Sequence, residues 1–458
     1  VYVFTSSLSM IDILSGNSKT IMNAQKARGV ETEGNIIVNT TDKGTVRLIL
    51  NNASISNTTT APIKVLDAKK VILTLADNTT NTITDSSRLS TEEDYSAVIY
   101  SKEDLIINGN GTLNVNAGYR NGIKSTDDCI IVSGTLNITS TEDGIIGKDL
   151  CGIVAGDINI NAGSDGIKST YDTDTTKGNV IIEGGNITIK ASNDGIQAEN
   201  ILVINDGTIN IKTNNGAADT TQTHTDNMDM DRGGFGFNNN KTTTTTDDTV
   251  ESRKGIKAGN MLIINDGDIT IDSDDDSVHC NSEIYIYGGT INAATGDDGV
   301  HADDLLTVNG GTINITQCYE GIEADDIVIN DGDISVVSSD DGINSSDGSI
   351  TINGGNLLIN ASGDGLDANG SIIINGGYIV VLGPTSDGDT AIDYDDSCTI
   401  NGGTVMAFGS SGMLEIPKGA SNGACIVTAF TSVSGGSKYT LSDSNGNEIL
   451  SYTPSKAY

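Results

Sequence analysis

Tryptophan is absent from the 458 residues, proline occurs 4 times and aromatic residues make up 4%. Without tryptophan there is no broad indole platform on which a sugar ring can stack, and so little proline argues against a proline-rich disordered chain. Basic residues are also scarce, 25 Lys and Arg against 62 Asp and Glu, a formal net charge of −37. That balance excludes a nucleic-acid binder that works by neutralising phosphates. The 6 cysteines are too few for a disulfide-dense scaffold and contain no CxxC pair, so they read as buried thiols. No run of eighteen apolar residues is present to span a bilayer as a helix. P-loop, dinucleotide, nucleophile-elbow and HExxH motifs are missing. The start at Val1, with no Met or signal-type apolar stretch, reads as a mature or trimmed product. Abundant Asn, Thr, Asp and Gly with sparse Lys suggest an exported, extracellular or surface-attached protein.

What is present is glycine, 55 residues, and acid, unevenly placed. From Ala258 to Tyr458 there are 30 acidic and 3 basic residues, a net −27, so cations are expected to gather in the C-terminal half.

The glycines mark a repeat. An Asp-Gly-Ile unit followed by a small residue recurs with its Gly at Gly122, Gly144, Gly166, Gly195, Gly255, Gly299, Gly321, Gly342 and Gly365, and with Ser277 and Ala391 standing in. The step is about 22 residues, widened to 29 by an insertion near Tyr171 to Lys177 and to 60 by one before Gly255. Weaker copies at Gly29 and Ala97 extend the register towards the N-terminus. Within one coil, Val300 and Ala302, then Leu306 and Val308, then Ile313 and Ile315 follow the period of two that marks strands. A coil this short buries its apolar face only by stacking in parallel on its neighbours. The expected fold is therefore all-β, a single-stranded right-handed parallel β-helix of ~22-residue, three-strand coils. It should occupy residues 1–404, interrupted by a low-complexity loop at 214–253, with 405–458 capping the open end. That loop reads as a mobile surface segment, or as a lid in which Met228, Met230, Phe235 and Phe237 cover a groove. Stacked Asn-Gly-Gly turns, with Asn205, Asn265, Asn309, Asn330, Asn353, Asn375 and Asn401 in register, should form an amide ladder.

Chemistry should lie on the outward positions of the first strand. Carboxylates at one position of adjacent coils lie about 5 Å apart and repel unless a cation sits among them. Excess hard oxygen ligands suit Ca2+ better than zinc or magnesium. One expected Ca2+ cluster is Asp340, Asp341, Asp364, Asp367, Asp389 and Asp393, and a second is Asp275, Asp276, Asp297, Asp298 and Glu320. The competing reading is a solvated acidic face whose aspartates merely make turns. His279 and His301 stack one coil apart, as solvent-facing imidazoles or as sugar-binding groups, and Lys124, Lys168 and Lys257 form a cationic ladder. Lys168, Lys257, His279, His301 and Tyr319 are the candidate substrate-binding residues, and Tyr285 and Tyr287 add stacking surface.

The segments SNDGIQAENILVINDGTINI, GDDGVHADDLLTVNGGTINI and SSDDGINSSDGSITINGG, with the ending ILSYTPSKAY, resemble the bacterial carbohydrate-binding parallel β-helix proteins of clostridial type. The resemblance implies a surface-associated protein that binds Ca2+ and plant cell-wall polysaccharides, including cellulose and acidic, pectin-like sugars such as polygalacturonate. The fold is also similar to that of β-helical pectate lyases, where Asp-rich patterns hold Ca2+ and a Lys is the base. Here Asp340-Asp341-Gly342-Ile343-Asn344 and Asp364-Gly365-Leu366-Asp367 match best, and Lys257 is the one Lys near an acidic cluster. Three readings follow: a monomeric, non-catalytic, Ca2+-dependent carbohydrate-binding protein; a Ca2+-dependent polyuronate lyase with Lys257 as base; and a surface spacer or adhesin. A polyanion such as polygalacturonate should need a divalent cation to bind a chain of this charge.

Overall fold

The computed structural model describes residues 2–5, 9–12, 21–25, 34–40, 44–86, 95–218, 252–418, 426, 428 and 432–458. The lid residues and the early repeat at Gly29 lie outside them. Among the described residues every regular element is a strand, and nearly all pair in parallel with the equivalent strand one coil away. The third strands form one sheet of 14, so the stack has about 14 coils and is on the order of 65 Å long. First and second strands share the other large sheet because two coils run through the corner, Val300–Val308 and Ile322–Ile329. The coil expected to hold three separate strands therefore has two, with the pairing register shifting between Ala302 and Leu305.

The inward columns are as the repeat dictates. Ile196, Ile256, Val278, Val300, Ile322 and Ile343 are fully buried in register. Two positions on, Ala258, Cys280, Ala302 and Ser345 keep the corner narrow. A buried Ile contributes about 1.5–3 kcal/mol and an exposed ion pair about 0–1, so the column rather than the charged surface holds the stack together. Cys129, Cys151, Cys280, Cys318 and Cys398 are buried free thiols, and Cys129, Cys151 and Cys398 occupy inward leucine or isoleucine positions.

Two glycine columns serve different ends. In the Asn-Gly-Gly turn the second Gly takes the left-handed conformation, as at Gly355 with φ 90°. In Asp-Gly-Ile the conformation is ordinary and the constraint is space. A Cβ on Gly195 would lie 2.5 Å from the Gly255 carbonyl oxygen and against Ile211. The amide ladder forms where Asn follows Asn, with Asn353 donating to Asn330 and Asn375 to Asn353, each at 2.8 Å.

The chain crosses its long insertion without losing register: Ile196 pairs with Ile256 and Ile209 with Ile269. Both feet are tied down. Ala217 N–H donates to Asp272 at 2.8 Å, and the Arg253 guanidinium reaches Asp274 at 2.6 Å. At the C-terminus Val405 stays in register with Ile379, and the ladder continues to Phe408, past the boundary expected at 404. The hairpin of Tyr439–Ser442 and Glu448–Tyr452 packs on the outer side of the third sheet, where Leu450 and Tyr452 cover Val380, Leu382 and Met406. The expected end cap is thus, in this hairpin, a lateral cover, because these outward side chains are themselves apolar.

Candidate metal and carbohydrate site

The acid column before each Gly has a structural duty that sequence spacing does not reveal. One carboxylate oxygen accepts the backbone N–H of the equivalent residue in the next coil. Asp165 N–H donates to Asp143 at 3.1 Å, Asp194 to Asp165 at 3.0 Å, Lys254 to Asp194 at 2.8 Å, Asp298 to Asp276 at 3.1 Å, Glu320 to Asp298 at 3.2 Å and Asp364 to Asp341 at 2.6 Å. Thr390 N–H closes the series on Asp364. Asp and Asn suit the position because a short side chain with an oxygen acceptor spans one coil. Turn chemistry and ligand chemistry are therefore not alternatives: one oxygen holds the coil and the other remains available.

Of the first expected cluster, Asp341, Asp364 and Asp367 converge, each offering an oxygen within 4.8 Å of the others. Asp340, Asp389 and Asp393 belong to no such triplet among the described residues, but they crowd it electrostatically. Burial, then Asp340, Asp367 and Asp364, pushes the Asp341 carboxyl up to about 8. Burial, with Asp367, Asp393 and Asp389 against the Thr390 N–H, raises Asp364 to about 7. Burial and Asp393 raise Asp367 to about 6. Crowded carboxylates raised above their ordinary range make a site short of positive charge, and oxygen donors of this kind fit a hard dication.

Of the second cluster, Asp275, Asp276 and Asp297 form a triplet. Lys254 already occupies it, its ammonium 2.9 Å from Asp275 and 2.5 Å from Asp276. Burial opposes the charge on Lys254, but Asp276 and Asp275 outweigh it and hold the ammonium well above its ordinary range. Glu320 is turned aside to accept a 2.9 Å bond from Asn344, and burial followed by the Glu323 and Asp298 charges raises it to about 9.

The expectation of solvent-facing imidazoles is corrected. His279 is 8% exposed, and its Nδ1 lies 2.8 Å from Asp276. His301 Nδ1 faces Asp298 at 3.2 Å, Glu323 at 3.5 Å and Asp276 at 3.7 Å. The imidazoles meet edge to face, with centroids 4.9 Å apart. The acidic turn of their own coils encloses them, which the outward register alone did not indicate. Lys168 is bound to Asp165 at 2.6 Å, whereas Lys257 donates to Ser252 at 3.2 Å. Tyr319 is half-buried, its N–H held by the Asp297 carbonyl at 2.8 Å. Tyr285 and Tyr287 lie nearly parallel at 6.5 Å, and Tyr287 is exposed.

Sequence reasoning left Glu323 and Lys254 outside the candidate site, and missed Asp104, Asp127 and Asp128, which form another triplet. Burial and Asp104 raise Asp127 to about 6. The signal lies in the second-strand column, where Asp104 and Asp128 each begin a strand and stack on neighbouring coils.

Fold and site together define a parallel β-helix that carries acidic, metal-competent triplets on its coil corners. The family model for carbohydrate-binding domain-containing proteins matches residues 20–299 and 297–416, and the chain belongs to that family. A carbohydrate-binding domain-containing protein of Acetivibrio thermocellus is 36% identical over 114 residues, 24% of this chain and 40% of that protein. The chain thus spans less than half the length of this relative. Among solved structures, a gadolinium derivative of a polysaccharide lyase-like protein from C. thermocellum has 33% identity, covering 42% of this chain and 76% of that one, with a TM-score of 0.39.

Proposed function

We propose that this protein is an extracellular, non-catalytic carbohydrate-binding protein whose hold on acidic, pectin-like polysaccharides of the plant cell wall depends on Ca2+. The observation that carries the reading is the convergence of Asp341, Asp364 and Asp367, three half-buried carboxylates whose oxygens lie within 4.8 Å of one another. Those residues would hold Ca2+, and a bound ion left with open positions would accept uronate carboxylates from the polymer. Family membership supports the carbohydrate, and the net charge of −37 supports the need for a bridging cation. The paired faces of Tyr285 and Tyr287 offer stacking surface for neutral sugar rings, including those of cellulose.

Lyase chemistry requires an amine that gives up its proton. Lys257, the candidate base, donates to Ser252 at 3.2 Å, while Lys254, the amine inside an acidic triplet, is held protonated by two carboxylates. Retention on insoluble polygalacturonate and on cellulose, measured with Ca2+ and again with a chelator, tests the proposal. Binding to polygalacturonate that vanishes with the chelator is the expected result. Equal retention under both conditions would refute the calcium link, and unsaturated uronate absorbance during incubation would refute the non-catalytic reading.

A further inference from the structure

The stacked pair of buried His279 and half-buried His301 carries an inference that goes beyond the calcium reading. The geometry points to a second kind of metal site, one for a d-block dication of the zinc class, held by His301 with Asp298 and Glu323 and closed on its inner side by Asp276 and His279.

Three observations support it. First, His301 Nδ1 faces carboxylate oxygens of Asp298, Glu323 and Asp276 at 3.2, 3.5 and 3.7 Å. The latter two separations are too long for hydrogen bonds, yet the set brackets the distance of about 3.4 Å between neighbouring ligands around a tetrahedral ion with bonds of about 2.0–2.1 Å. Asp298, His301 and Glu323 form one metal-competent triplet, and Asp276, His279 and His301 form another that shares the same imidazole.

Second, His279 is more than nine-tenths buried, and its Nδ1 has no hydrogen-bond partner although Asp276 Oδ2 is 2.8 Å away. At the other nitrogen, Nε2 lies 2.9 Å from the Asn281 side-chain oxygen, which can only accept, so Nε2 carries the hydrogen. Nδ1 thus faces the Asp276 carboxylate with no hydrogen bond of its own, and an ion seated there would be bound by both groups. A ring nitrogen pinned by an outer acceptor while the other faces an ion is the usual arrangement of a metal-bound histidine. His301 lacks so close an outer acceptor, its Nε2 standing 3.6 Å from Asp303.

Third, the donor set discriminates. Imidazole nitrogen mixed with carboxylate oxygen suits zinc-class ions, whereas Ca2+ takes oxygen alone. Lys254 shares Asp276, so the donors that remain for a dication are the carboxylates of Asp298 and Glu323 with the His301 nitrogen.

The full chain, saturated with Ca2+, is titrated with Zn2+ by calorimetry and with Co2+ by visible absorption. One equivalent should bind in the presence of Ca2+, and Co2+ should give the intense bands of a low-symmetry, nitrogen-containing site. The chain has 3 histidines, and the third, His224, lies in the long insertion. His224→Gln should therefore leave binding unchanged, while His279→Gln combined with His301→Gln should weaken it at least about a hundredfold. Asp364→Asn should reduce Ca2+ binding without affecting Zn2+, which separates this site from the calcium reading. No stoichiometric Zn2+ binding, or binding that survives loss of both histidines, overturns the proposal. Should the double variant fail to fold, X-ray absorption of the Zn2+-loaded wild-type chain decides: imidazole in the first shell supports the site, and a shell of oxygen alone overturns it.

Discussion

At the scale of single residues, the aspartate column unites two functions that substitutions can separate. Asp364 accepts the Thr390 N–H through one oxygen and contributes to the acidic triplet. Asp364→Asn keeps an oxygen acceptor and removes the charge. It is expected to lower Ca2+ affinity at least tenfold in calorimetry while leaving the thermal midpoint in chelator unchanged or higher, since repulsion within the triplet falls. Asp364→Ala also orphans the N–H of Thr390, which is 2% exposed, and should cost a further 1–3 kcal/mol or so in denaturant unfolding. The positions of these acids were legible in the sequence because Asp341 and Asp364 precede the repeat glycine. Which of them converge was not. Asp340, Asp389 and Asp393 sit on the same turns yet join no triplet among the described residues. Side-chain direction at a turn is set by contacts between coils, and His279 was misjudged for the same reason.

At the scale of the coil, the period-two pattern made the inward columns readable from Ile123 to Ile392. The pattern works because every inward position meets its own equivalent in the next coil. What the repeat concealed is the reason for its glycine, which is a backbone approach from the neighbouring coil and not a turn conformation. Gly195→Ala should therefore destabilise by about 1–3 kcal/mol, since the Gly255 carbonyl and Ile211 have to shift, whereas Ser277→Ala keeps a Cβ the column already accepts and should lose only the bond to Ser273. Denaturant midpoints of the two variants at constant slope check this. The C-terminal hairpin escaped the pattern because Val380 and Met406 are outward residues whose apolar character reflects a local cover and not the stack.

At the scale of the whole molecule, the charge of −37 becomes a statement about pH. Asp165, Asp367, Asp364, Asp297, Asp341 and Glu320 are all raised, to about 6, 6, 7, 8, 8 and 9, with burial the leading cause in each. The folded chain thus binds more protons than the unfolded one. The stability these groups carry is complete below the ordinary carboxylate range and is lost as pH rises through about 6 to 9. In chelator the thermal midpoint should fall between pH 5 and pH 8, and Ca2+ at a hundred times its dissociation constant should restore about 2.7 kcal/mol at pH 8. A midpoint that rises with pH in chelator would contradict the raised carboxylates. The carboxylate-to-amide bonds of the acid column all run one way, from each coil to the one that follows it. The rod is accordingly a vector with chemically unlike ends. The amide of the neighbouring glycine runs the other way, donating to the acid residue's carbonyl in the following coil, as Gly144 does to Asp165 and Gly342 to Asp364. A cut at either end therefore takes an acceptor from an amide of this corner, and what differs between the ends is only which of them presents the free carboxylates.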